Sequence, residues 1–121
     1  MDKSLLVTVG QNLLRFLERE NAEVEAAVWI LDSDMAWRLW IAPKKYVDRH
    51  SFYLTLAKVL AKHPTIGDLE VSDVQIVEPN NPIIQELKRF GTTAGPRLPV
   101  WLTNERLGGF FVPEGIILKV A

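Results

Sequence analysis

At 121 residues, 48% of them hydrophobic, the chain is long enough for one domain with a core of its own. It has no cysteine and two histidines, which excludes disulfides, thiolate nucleophiles and cysteine-ligated zinc. The net charge of −1 gives no bulk attraction to polyanions, yet the charges are segmented. Residues 38–63 carry six basic groups against Asp48, whereas residues 64–86 carry five acidic groups and no basic one. Such segmentation marks either a basic face or neighbouring segments that cancel on folding.

The opening run Leu5-Leu6-Val7 is too short for a signal peptide. No stretch approaches the roughly 20 apolar residues of a membrane helix. With the missing cysteines, this predicts a soluble cytoplasmic protein with no membrane partner.

In residues 3–20, Leu6, Val9, Leu13, Phe16 and Leu17 recur at three- and four-residue steps and predict a helix. Gly10 weakens it slightly, and Asn21 suits a left-handed cap. Residues 25–42 predict a β-hairpin turning at Asp32-Ser33-Asp34, whose short side chains hydrogen-bond nearby backbone. Alternation puts Trp37, Leu39 and Ile41 on one face and Arg38 and Trp40 on the other. Pro43 ends the strand.

Asp48 caps a second predicted helix over residues 48–63, with a stripe of Phe52, Leu56, Val59 and Leu60 and a stop at Pro64. Residues 65–68 form a loop, and residues 70–77 predict a third strand. Asn81, Pro82 and Gly91 punctuate a third helix over residues 81–90, with Gly91 just past its end. A loop over residues 92–96 leads to a strand from Leu98 to Thr103 and a turn from Asn104 to Gly109. Two strand runs follow, Phe110 to Val112 and Gly115 to Val120, separated at Pro113 by a turn, bulge or edge position.

Two segments carry a resemblance. The hairpin Ala26-Ala27-Val28-Trp29 with Trp37-Arg38-Leu39 and Ile41-Ala42, and the terminal run from Leu107 to Lys119, together resemble a group of small uncharacterised bacterial proteins. In that group an AAFW…WRLVIA hairpin precedes a helix and the chain ends in an NGVYIEDAYIYR-like strand. Pro113 and Gly115 depart from that pattern. The resemblance supports the domain limits and implies no activity and no catalytic residue.

Chemistry-bearing constellations are sparse. Asp48, His50 and Ser51 contain the residue types of a hydrolase triad, but neighbours one and two steps apart on a helix point in different directions. His50 and His63 sit nearly 20 Å apart on one predicted helix and cannot share a metal. Asp32 and Asp34 suit turn formation better than a carboxylate magnesium site. Residues 91–97 lack the lysine and serine of a phosphate loop and follow a helix, where they serve as stop and connector.

The basic segment is richer. Arg38, Lys44, Lys45 and Arg49 can cluster where the hairpin meets the second helix, with Trp40 and Tyr46 among them, a composition suited to phosphates and stacked bases. The aromatic residues support another reading. Trp29, Trp37, Trp40, Trp101, Phe110 and Phe111 all fall on predicted strands, and three short helices are expected to cover one sheet face, leaving rings on the other.

The sequence therefore predicts a single α+β domain over residues 1–121, in the order α-β-β-α-β-α-β-β. Its sheet, mixed or antiparallel, has four to six strands with the three helices mainly on one face. The expected function is a non-catalytic bacterial interaction or accessory module that forms a homodimer or binds another protein through Trp40, Trp101, Phe110 and Phe111. The alternative is nucleic-acid binding through Arg38, Lys44, Lys45 and Arg49. No catalytic, cofactor-binding or metal-binding residue is expected.

Overall fold

The computed structural model describes residues 2–44, 47–63, 69–94 and 98–120. The elements are α1 (Lys3–Arg19), β1 (Val24–Leu31), β2 (Trp37–Pro43), α2 (Arg49–Lys62), β3 (Val74–Ile76), α3 (Pro82–Ala94), β4 (Val100–Leu107) and β5 (Phe110–Val120). The class and order are those expected from sequence: among the described residues, three α-helices and one mixed sheet of five strands, ordered β3-β2-β1-β5-β4. Only β2 and β3 run parallel; the other neighbours are antiparallel.

Local chemistry sets the ends of these elements. The Asp2 carboxylate accepts from the Ser4 N–H and caps α1, and Asn21, at φ 61°, takes the left-handed position just beyond it. Asp48 does the same for α2, accepting from both the N–H and the hydroxyl of Ser51 at 3.0 Å. In the β1–β2 turn, Asp32 Oδ1 accepts from the backbone N–H groups of Asp34 and Ala36, each at 2.9 Å. Asp32 is thus a turn former.

The sheet is buried on both faces. On one, α1 and α2 cover Ala27, Trp29, Leu39, Ile41, Val74, Ile76, Ile116 and Leu118. On the other, Ile83, Ile84 and Leu87 of α3 pack over Val28, Ile30, Leu102, Val112 and Ile117. Two of the three helices share a face, but the expectation that the second face stays uncovered is corrected. The β2–α2–β3 crossover places α2 beside α1, and α3, leaving the far end of β3, crosses to the opposite side.

Three boundaries also differ from the sequence reading. Gly91 does not end α3, which runs on to Ala94; an internal glycine costs a helix about 1 kcal/mol and does not break it. Residues 70–77 are a short 3₁₀ turn (Val71–Asp73) leading into a three-residue strand. The turn expected from Asn104 to Gly109 shrinks to Gly108-Gly109, both at positive φ, and Pro113 lies inside one continuous strand. Pro64, the loop of residues 65–68, Lys45, Tyr46 and the connector residues 95–97 lie outside the described residues.

Candidate interaction surface

The β4–β5 hairpin is built by two kinds of backbone irregularity. Its turn uses Gly108 at φ 55° and Gly109 at φ 87°, values that only residues tolerant of the left-handed region adopt. Its ladder runs from Val100↔Ile117 to Leu107↔Phe110 with one gap, where Asn104 stands opposite Pro113. Asn104 is left-handed at φ 50°, and Pro113 has no N–H to donate. Side-chain alternation resets there on both strands. Leu102 and Ile117 on one side of the gap, and Leu107 and Val112 on the other, all face α3. Strict alternation would have turned one pair outward.

The reset decides which side chains remain exposed. Trp101 neighbours Leu102, so it points to the α1 side, where Lys3 Nζ lies 6.0 Å from its ring centroid and also pairs with Glu114 at 2.7 Å. Phe111 neighbours Val112 and likewise points to the α1 side. Phe110, paired with Leu107, lies on the α3 side. None is covered: Trp101 is 49% exposed, Phe110 60% and Phe111 56%. At about 200 Å² per ring, this leaves roughly 300 Å² of aromatic surface on one hairpin. Among the described residues, the other exposed large apolar side chains, Leu5, Met35, Leu54 and Val71, are spread over separate elements.

Trp40, expected in the same surface, is half-buried and packs on the core beneath α3. Alternation placed it correctly opposite Trp37 and Leu39, but the face it occupies is the one that α3 covers.

Among the described residues, the basic candidates Arg38, Lys44 and Arg49 do not form one cluster. Lys44 and Arg49 meet in a cleft of about 260 Å³ at the C-terminal ends of the parallel strands β2 and β3, lined also by Asp48, Glu78 and Pro79. The Arg49 guanidinium donates to the Ile76 carbonyl at 2.9 Å. Arg38 lies six residues back along β2, roughly 20 Å away at about 3.3 Å per residue. There it pairs with Asp32 at 3.3 Å and donates to the Ser72 carbonyl at 2.6 Å. A neighbouring cleft of about 520 Å³ holds Glu25 and Lys88, paired at 3.4 Å, with Glu78, Asn80 and Gln85. Both clefts mix the two signs of charge.

The remaining candidates for chemistry resolve into structure. Asp48 and Ser51 are partners in the α2 cap. His63, just past the end of α2, stacks on Phe16 with ring centroids 3.8 Å apart. Among the described residues, no three His, Asp or Glu side chains converge as a metal site, and no helix is long and apolar enough to cross a membrane.

Sequence reasoning missed two features of the hairpin. The docking of Gly108 against the backbone of Pro82 gave no local signal. The reset at Asn104 did leave one, a turn-forming residue opposite a proline, which reads equally well as a turn. No family model, curated protein or solved structure matches this chain.

Proposed function

We propose that the chain is a non-catalytic protein-interaction module of the bacterial cytoplasm that works through its C-terminal hairpin and self-associates there. The observation that carries this reading is the concentration of three half-exposed rings, Trp101, Phe110 and Phe111, on one hairpin. Aromatic side chains dominate the energetics of protein interfaces, and a protein surface rarely leaves several of them uncovered together. The missing cysteines fit a reducing compartment.

The alternative, nucleic-acid binding, loses its main support. Arg38 stands apart from Lys44 and Arg49, and each basic site shares its surface with carboxylates. Affinity for a phosphate backbone grows with the number of phosphates that basic side chains neutralise, and carboxylates beside those side chains offset part of it.

The test is the triple change Trp101→Ser, Phe110→Ser and Phe111→Ser. Because the rings are half exposed, the variant should keep its circular-dichroism spectrum while losing association by light scattering and losing chemically cross-linked partners in the native host. A folded variant that associates and cross-links like the parent would place the contact surface elsewhere.

A further inference from the structure

Resting on that reading, we propose that the partner is a second copy of this chain, joined edge to edge through β4 about a two-fold axis at Thr103. β4 is the outermost strand of the sheet, with eight residues and no neighbour among the described residues on its outer side. The exposed rings straddle the sheet, Trp101 and Phe111 on the α1 side and Phe110 on the α3 side. A partner docking on one face would cover only part of this set. A strand added at the edge brings a neighbour to both faces at once.

The reset at Asn104 selects the partner. Asn104, left-handed and outside the paired positions of the β4–β5 ladder, is left unpaired across the axis as well, so the pairing positions are 100, 101, 102, 103, 105, 106 and 107. Of these, 100, 102, 105 and 107 face α3, and 101, 103 and 106 face α1. The pattern reads the same from either end, with Thr103 at its centre. An antiparallel copy therefore matches face for face across the whole strand, the condition that an isologous two-fold interface imposes. Continuous alternation from 100 to 107 would have put unlike faces opposite each other in this full overlap.

The register brings together complementary side chains. Trp101 falls opposite the second copy's Arg106, and because Arg106 is paired with Phe111, each guanidinium enters a row between two rings. On the α3 side the row runs Phe110, Leu107, then Val100 and Ile117 of the second copy, all apolar. The two Thr103 side chains meet on the axis, a favourable cross-strand pair. The roughly 300 Å² of exposed ring falls short of the about 800 Å² per partner of a standard interface; the paired strand and its flanking side chains add the remainder.

The absence of native cysteine makes the register testable directly. In Thr103→Cys the only thiols in a dimer would face each other across the axis, within the Cα separation that a disulfide spans. Mild oxidation at micromolar concentration should link the variant nearly completely. Thr55→Cys, on α2 and away from β4, should stay unlinked. Arg106→Glu should weaken the dimer at least tenfold in sedimentation equilibrium. Efficient linking of the Thr103→Cys variant together with the weakened Arg106→Glu variant supports the proposal. A parent chain that remains monomeric at about 100 µM overturns it together with the self-association in that reading, and leaves only binding of another protein through the hairpin, which the Trp101, Phe110 and Phe111 triple change then tests separately. A dimer that is linked by Thr55→Cys and not by Thr103→Cys overturns this register while keeping self-association.

Discussion

The indole Nε1–H of Trp29 donates to the main-chain carbonyl of Leu6 at 2.8 Å, tying the centre of β1 to the first turns of α1 inside the core. Trp29 is 1% exposed, so its polar atom needs this partner. The approach is possible because Gly10 has no side chain. A Cβ there would lie 2.8 Å from Nε1 and would collide with Leu118 Cδ1. Leu118 reaches that point because the β1–β5 register shifts between Ala27 and Val28, leaving it as an extra residue on β5.

The first prediction follows. Gly10→Ala raises intrinsic helix propensity by about 1 kcal/mol. Overpacking costs about 1–3 kcal/mol, and loss of the indole hydrogen bond about 1 kcal/mol more. The net expectation is a loss of about 1–3 kcal/mol, read from urea unfolding. A stabilised variant would show that the core relaxes around the methyl group and that the glycine is there for another reason.

The two glycines of the hairpin turn should respond differently. A Cβ on Gly108 would come within 2.6 Å of the Pro82 carbonyl carbon and Cβ, at a φ of +55°. Gly108→Ala therefore combines left-handed strain with a clash against backbone, about 2–4 kcal/mol together. Gly109, at φ +87°, has nothing within 4 Å, and Gly109→Asn should cost less than about 1 kcal/mol. Equal sensitivity of the two in urea unfolding would mean that the turn does not dock on the start of α3.

What the sequence made legible, and what it hid, divides along local and non-local physics. The caps at Asp2, Asn21 and Asp48 depend on neighbours within a few residues, and those for α2 and the left-handed Asn21 were readable directly. The alternation of Trp37 to Ile41 was equally readable, yet the burial of Trp40 depended on α3, more than forty positions along the chain, crossing to the other face. Asn104 and Pro113 each carry a turn signal; only their juxtaposition across the hairpin makes them a single gap in the ladder that resets alternation on both strands. The exposed rings of the candidate surface were foreseen as residue types, but their distribution over both faces was fixed by that juxtaposition.

Acid should weaken the fold through two carboxylates. Asp32 is held below its ordinary pKa, chiefly by the Ala36 N–H, with Arg38 and the Asp34 N–H adding to the effect against some desolvation. Asp48 is held below by the N–H and then the hydroxyl of Ser51. A carboxylate whose folded pKa is depressed contributes stability above its unfolded value of about 3.9, and that contribution disappears as pH falls through the folded value. These two groups should therefore leave stability flat between pH 7 and 5 and reduce it below about pH 4. Carboxyl NMR titration should place both midpoints below the ordinary aspartate value, and Asp32→Asn with Asp48→Asn should flatten the acid limb of the urea-midpoint profile. Midpoints at or above the ordinary value would remove these residues from the account of acid sensitivity.

Neutralising Lys44, Lys45 and Arg49 together separates the two functional readings. If the chain works through its hairpin, the triple change leaves association within about twofold, because buried aromatic side chains and not peripheral charges dominate interface energetics. It should still cost stability, about 1–2 kcal/mol, since the Arg49 guanidinium that satisfies the Ile76 carbonyl is lost. Arg49→Lys with the two lysines intact should restore part of that loss, although an ammonium lacks the planar reach of the guanidinium. If the chain instead binds nucleic acid, random oligonucleotides should bind at about 0.15 M salt with an affinity that falls steeply as salt rises, and the triple variant should lose it. The charge balance of the cleft, where Lys44 and Arg49 face Asp48 and Glu78, leads us to expect no such binding. Micromolar, salt-sensitive oligonucleotide binding abolished in the triple variant would overturn the interaction reading and reinstate the basic segment as the working surface.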